Sequence, residues 1–218
     1  MHVRLVSGAA RLRHATPSSS DEAFLFSEAA TGYFMDLVDG SRLVAESFPF
    51  AAWTEPDTVD ARADRLPSSV VTRLRCAAAR LATDRALTDL PMTDEGLFSD
   101  PVLVAAWERG PEHRVTVRGN GVSPTISGEA RLAAFDHFLH HSGEPVVYSP
   151  LDFDPVICAN AAVGGVVLSA PRLVAELDHL GEVLEATDED TLASGIRTLA
   201  TAAGAAVDAG SALIIEYA

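Results

Sequence analysis

Two short apolar runs, Tyr33–Val38 and Ser41–Ser47, flank an Asp39-Gly40 pair. Asp-Gly accepts the positive φ angles of a type I′ turn, so this pattern predicts a β-hairpin. Shorter runs at 22–26 and 2–6 extend it to an N-terminal antiparallel meander. At Ser68 the period changes. Val70, Leu74, Ala77, Ala78 and Leu81 fall on one helical face, which predicts a helix over 68–81. Ser99-Asp100-Pro101 caps a second, short helix ending near Arg109-Gly110.

Beyond residue 110 the pattern predicts a strand over His113–Arg118, a helix over Ser127–Ser142 ended by Gly143, and a strand from Pro145 to Tyr148. That β–α–β order predicts parallel strands joined by a crossover. A strand at Gly165–Leu168 leads into a helix capped by Ser169 and running to about Leu184. Thr187-Asp188-Glu189-Asp190 opens an alanine-rich helix with acids in its first turn, where the helix dipole favours them. Ala212–Tyr217 closes the chain as a core strand. The fold class is therefore α+β: an N-terminal antiparallel meander, central helices and a C-terminal βαβ-like half with a final core strand. Residues 1–218 are expected to form one globular domain. The alternative is a subdomain split into 1–110 and 111–218.

Composition narrows the chemistry. All sixteen basic side chains are arginine and none is lysine. A pyridoxal phosphate Schiff base and a P-loop nucleotide site both need a lysine amine, so neither cofactor class is expected. The formal net charge is −15. That sign argues against nucleic acid and anionic membranes as partners, since phosphates are met by clustered cations. Charge is unevenly spread. From Glu144 onward twelve acids face only Arg172 and Arg197, whereas Arg62–Arg85 holds six arginines and two aspartates. Two distant cysteines and an N-terminus without a signal-peptide core point to the cytoplasm.

Three segments carry ligand-type side chains. In Asp136-His137-Phe138-Leu139-His140-His141, His137 and His141 are four apart on one helical face, a spacing that could present half of a divalent-metal site. Leu132, Phe135 and Leu139 form the apolar stripe, which sets these polar residues on the wet side. Asp152 and Asp154 follow an apolar strand and could supply further ligands. This Asp-x-Asp is similar to the metal site of sugar-nucleotide transferases. Cys158 is a candidate nucleophile with a histidine base. The segment Val156–Ala162 resembles the Cys-Asn-Thr stretch of aspartate/glutamate racemases. However, Ala159 separates Cys158 from Asn160, and Cys76 lies in a helix of the other half, so that family is not assigned.

These features favour a non-catalytic interaction module, of immunity, inhibitor or complex-partner type. It would engage a basic protein through Glu182, Glu185, Asp188 and Glu189. The alternative is a small-molecule enzyme, a metal-assisted hydrolase or transferase. There His137, His141, Asp152 and Asp154 are the ligands, and His140 is the acid/base. A small-molecule ligand fits that alternative. Neither nucleic acid nor membrane is an expected partner.

Overall fold

A computed structural model describes residues 2–8, 28–56, 62–87, 90, 100–116, 128–140, 145–158, 166–184 and 190–217. Its centre is a seven-stranded mixed sheet: β1 (His2–Ser7), β2 (Arg62–Pro67), β3 (Arg114–Thr116), β4 (Val146–Ser149), β5 (Val156–Cys158), β6 (Val166–Ser169) and β7 (Leu213–Tyr217). The spatial order is β2-β1-β7-β4-β6-β5-β3. The described residues also form six helices: α1 (Glu28–Ala45), α2 (Ser68–Leu81), α3 (Pro101–Arg109), the single-turn α4 (Asp136–Leu139), α5 (Ala170–Leu184) and α6 (Asp190–Ala209). The α+β class expected from the pattern is what the chain adopts.

Successive residues of each strand face opposite layers. Val3 and Leu5 of β1, Tyr148 of β4, Leu168 of β6 and Ile215 of β7 pack under α2, α3, α5 and α6. Val6, Val147, Val167 and Ile214 point the other way, onto α1 and the turn that carries Phe48 and Trp53. The closing strand β7 lies between β1 and β4, antiparallel to both, so the last strand of the chain is central to the sheet. Strands β1 and β2 come from the first 110 residues and share this sheet with five strands from the rest.

Helices α2 and α3 form where the periodicity and capping signals place them. Asp100 caps α3, its carboxylate accepting from the N–H groups of Val102 at 3.0 Å and Leu103 at 2.9 Å. Pro101 fills the first turn and Gly110 ends the helix at φ 72°.

Two expectations fail. The Tyr33–Ser47 hairpin is helix α1 through Ala45, so there is no antiparallel meander at these residues. Phe34, Val38, Ser41 and Ala45 are all buried, and their spacing of four, three and four residues is helical. One buried face of a long helix outweighs a two-residue turn signal, and Gly40 sits inside the helix. The strand expected at 22–26 lies outside the described residues.

The second failure is the parallel crossover. Strand β4 is parallel to β6, β6 is antiparallel to β5, and β5 is parallel to β3, so β3 and β4 run in opposite directions with two strands between them. The intervening helix is reduced as well. Within the described part of 127–142 there is a 3₁₀ turn over Leu132–Ala134, and then α4. Phe135 separates them at φ 53°, a left-handed conformation that breaks the helical run.

Candidate functional site

Helix α5 buries Leu173, Leu177, Leu180 and Leu184, and Glu176 stands on the same stripe with 3% of its surface exposed. A carboxylate at such a position requires donors. It finds them at the start of α4, where its oxygens accept from the N–H groups of His137 at 3.1 Å and Phe138 at 2.7 Å. Burial outweighs these bonds and pushes the Glu176 carboxyl well above the usual carboxylate range.

His137 is buried beside it. Ser169 donates its N–H to Nδ1 at 3.0 Å, so the ring proton sits on Nε2, which donates to the Asp154 carbonyl at 2.9 Å. The Tyr148 hydroxyl donates to the His137 carbonyl at 2.8 Å. Burial holds this imidazole neutral and lowers its pKa to about 4. The cluster therefore ties α4 to β4, β6 and α5. The void beside it measures about 60 Å³, far below the ~300 Å³ of a small ligand site.

Of the polar residues expected on a wet helical face, Asp136 and His137 are buried and His140 is half-buried, beside the buried Phe138 and Leu139. The reason is the break at Phe135, which turns a long amphipathic helix into one turn surrounded on all sides. His140 lies 3.7 Å from the Asp136 carboxylate, which itself accepts from the N–H groups of Glu112 and His113. Burial alone would raise Asp136, but the His140 ring and the two N–H groups more than offset it and leave its pKa low. His141 lies outside the described residues.

Asp152 and Asp154 both meet the guanidinium of Arg172, Asp152 at 2.8 Å. Of the expected ligand set, Asp152 and Asp154 thus share one cation and both His137 ring nitrogens are engaged, while the fourth member, His141, is not among the described residues. Among the described residues no group of three or more His, Cys, Asp or Glu is placed to hold a metal ion. Cys158 is half-buried on β5, and burial raises its thiol, which keeps it protonated rather than nucleophilic. Burial pushes the Cys76 thiol up to about 12.

The solvent-facing surface carries both signs: Arg62, Arg65, Arg85, Arg109, Arg131 and Arg197 are exposed, and so are several acids of the C-terminal half. Several acids of the C-terminal half are neutralised or buried within the fold: Asp152 and Asp154 by Arg172, Glu216 by Arg4 across the β1–β7 pair at 3.2 Å, and Glu176 in the core. Asp178, Glu182, Asp190 and Asp208 are left exposed on α5 and α6. Among the described residues none of these four is ion-paired with an arginine, although Glu182 lies 3.9 Å from the His179 ring. Asp178 and Glu182 are four apart, on one face of α5. Glu185, Asp188 and Glu189 lie outside the described residues. Beside Asp178 and Glu182 a groove of about 430 Å³ opens between α5 and α6, with Arg197 on its α6 side.

Sequence reasoning missed Glu176 and Arg172 as organising residues. The available signal was a charged residue standing on the Leu173–Leu184 apolar stripe, which demands a buried partner.

A family model described as "Putative DNA-mimic protein" matches residues 15–215. No curated protein and no solved structure matches the chain. The family match corrects the functional expectations. It overturns the immunity, inhibitor or complex-partner reading and the metal-assisted enzyme that stood as its alternative. It also corrects the partner reading, which left a basic protein and a small-molecule ligand both open: a family described by imitation of DNA fits the basic partner and points to proteins that bind DNA.

Proposed function

The chain belongs to this DNA-mimic family, and from that premise we propose that it occupies the DNA-binding site of a DNA-binding protein. The observation that supports this is the set of exposed carboxylates on α5 and α6, left without arginine partners among the described residues while other acids of the same half are internally paired or buried. Helical geometry gives those charges a regular step. From Asp178 to Glu182 the α5 axis advances about 6 Å, and duplex DNA presents one phosphate per strand every ~3.4 Å of its axis. One carboxylate per turn thus supplies about half the charge density of a strand, and Glu185, Asp188 and Glu189 continue the series in sequence. A surface built to neutralise phosphates responds to such a field by the same long-range attraction that steers it to DNA. The free thiols Cys76 and Cys158 support a reducing cytoplasm as the place of action.

The test is competition. Immobilised protein should retain DNA-binding proteins that a short DNA duplex elutes, with retention falling steeply as salt rises. Reversal of Asp178, Glu182, Glu185 and Glu189 to arginine should abolish retention. Captured proteins that a duplex does not displace, or retention that survives the reversal, would overturn the proposal.

A further inference from the structure

We propose that the α5–α6 groove is the seat for a basic amphipathic helix of the DNA-binding partner, its apolar face on Ala193 and Ile196 and its cations on Asp178 and Glu182. This inference rests on the DNA-mimic reading and adds to it a contact that DNA itself lacks.

The groove, about 430 Å³, has an apolar floor and an acidic rim. Ala193 and Ile196 line its base above the buried Leu177, and Asp178 and Glu182 stand exposed at its α5 edge. Gly181 makes the space. It lies within α5, its φ is not in the left-handed region that requires glycine, and a Cβ there would meet only the Ile196 Cγ2, at 3.8 Å. A helix-interior glycine costs about 1 kcal/mol relative to alanine. With no backbone conformation to justify that cost, the missing side chain acts as an opening.

Charge and shape together select the occupant. Arginine and lysine lay aliphatic stems along apolar surface while keeping their charged ends in contact with carboxylates at the rim. Asp178 and Glu182 are one helical turn apart, so a partner helix with cations four residues apart meets both at once, and leucines on the adjoining stripe fill the floor. Arg197, exposed on the α6 side, repels those cations and holds the occupant toward α5. A purely electrostatic mimic would need no such floor.

The experiment uses the full chain and two labelled probes in fluorescence anisotropy. One is a helical peptide with arginines at i, i+4 and leucines on the adjoining stripe; the other is an oligoarginine of equal charge. Gly181→Leu fills the groove without touching a charge, and Gly181→Ala controls for helix propensity, with circular dichroism confirming the fold of both. Gly181→Leu is expected to weaken the amphipathic peptide about tenfold, the scale of one excluded leucine contact, and to leave oligoarginine unchanged. Arg197→Ala should tighten both probes. If folded Gly181→Leu binds the amphipathic peptide as wild type does, the groove proposal falls. The charge reversal at Asp178 and Glu182 separates the two ideas. Lost binding there, with no effect of Gly181→Leu, leaves DNA mimicry standing without the groove; unchanged binding in both variants removes both.

Discussion

The buried imidazole of His137 makes a quantitative demand on stability. Its pKa falls from 6.5 to about 4 on folding, so between those values the unfolded chain binds more protons than the native one. Stability must therefore decline as pH drops through this window, and the contribution is fully present only above 6.5. Integrating that shift gives a loss of about 2 kcal/mol between pH 7 and pH 5. Glu176 works in the opposite sense. Its carboxyl is raised in the native state, so ionising it costs stability as pH climbs, and its contribution is complete only below the unfolded value. The two partly cancel in the wild-type curve. Comparison with His137→Gln isolates the histidine, because Glu176 titrates in both proteins. The variant loses the acceptor for the Ser169 N–H, a cost of about 1–3 kcal/mol at every pH. It should nevertheless show a flatter pH dependence than wild type, by about 2 kcal/mol between pH 7 and 5. Urea unfolding at pH 5, 6 and 7 measures this directly. An equal decline in the two proteins would mean that His137 is not held neutral by burial, and the account of the cluster would be wrong.

Three other packing features make opposite or coupled demands. Gly40 lies inside α1 with nothing within 4 Å of a built Cβ, so Gly40→Ala should stabilise by about 0.5–1 kcal/mol. Gly195 on α6 is its converse. A Cβ there falls within 2.4 Å of the Val70 Cγ1 on α2, so Gly195→Ala should destabilise by about 1–3 kcal/mol through overpacking; thermal melts distinguish the two signs. Asp100 both caps α3 and accepts from the buried Arg80 guanidinium at 2.7 Å. Asp100→Ala should cost about 3–5 kcal/mol, and a double-mutant cycle with Arg80→Met should recover much of it by removing the stranded charge. Strict additivity would sink the coupling.

Where local and tertiary preferences agree, the sequence was readable. Helix α2 has its apolar stripe and α3 has its Asp-Pro start and Gly stop. Strand β7 is a run of apolar residues that only a central position can bury on both faces. Misreadings arose where a local signal competed with a longer one. Asp39-Gly40 is a strong turn in isolation, yet Phe34, Val38, Ser41 and Ala45 bury one face of their helix for about three turns. Around Phe135 the loss is of another kind. Leu132, read as part of a buried stripe, is 42% exposed, because the chain turns left-handed three residues later and Glu176 captures the N–H groups that follow. That carboxylate is about forty residues away in sequence, and no local pattern encodes the partnership. The edge strand β2, Arg-Ala-Asp-Arg-Leu-Pro, has one buried residue and no apolar period to announce it; its pairing is set by the open edge of β1.

The acidic surface was legible as a count but not as a map, and the difference lies in where the bases go. The Arg62–Arg85 stretch carries a local excess of four positive charges in sequence. The fold withdraws two of its cations from solvent. Arg80 is sealed against Asp100, and Arg75, 1% exposed, sits among the rings of Trp107, Phe138 and Tyr217, each about 6 Å from its guanidinium. Arg172 is likewise committed to Asp152 and Asp154. Each base drawn inward or tied to a neighbouring acid leaves fewer cations to screen the carboxylates that remain outside. An unfolded chain of the same composition would average its charges; the folded one sorts some of them. Arg75, Arg80 and Arg172 are used as internal fasteners, and Asp178, Glu182, Asp190 and Asp208 face water without arginine partners among the described residues, while Arg62, Arg65, Arg85, Arg109, Arg131 and Arg197 stay exposed. That sorting is what an imitation of DNA requires. The field a partner meets depends on the unpaired exterior, not on the net −15 of the sequence.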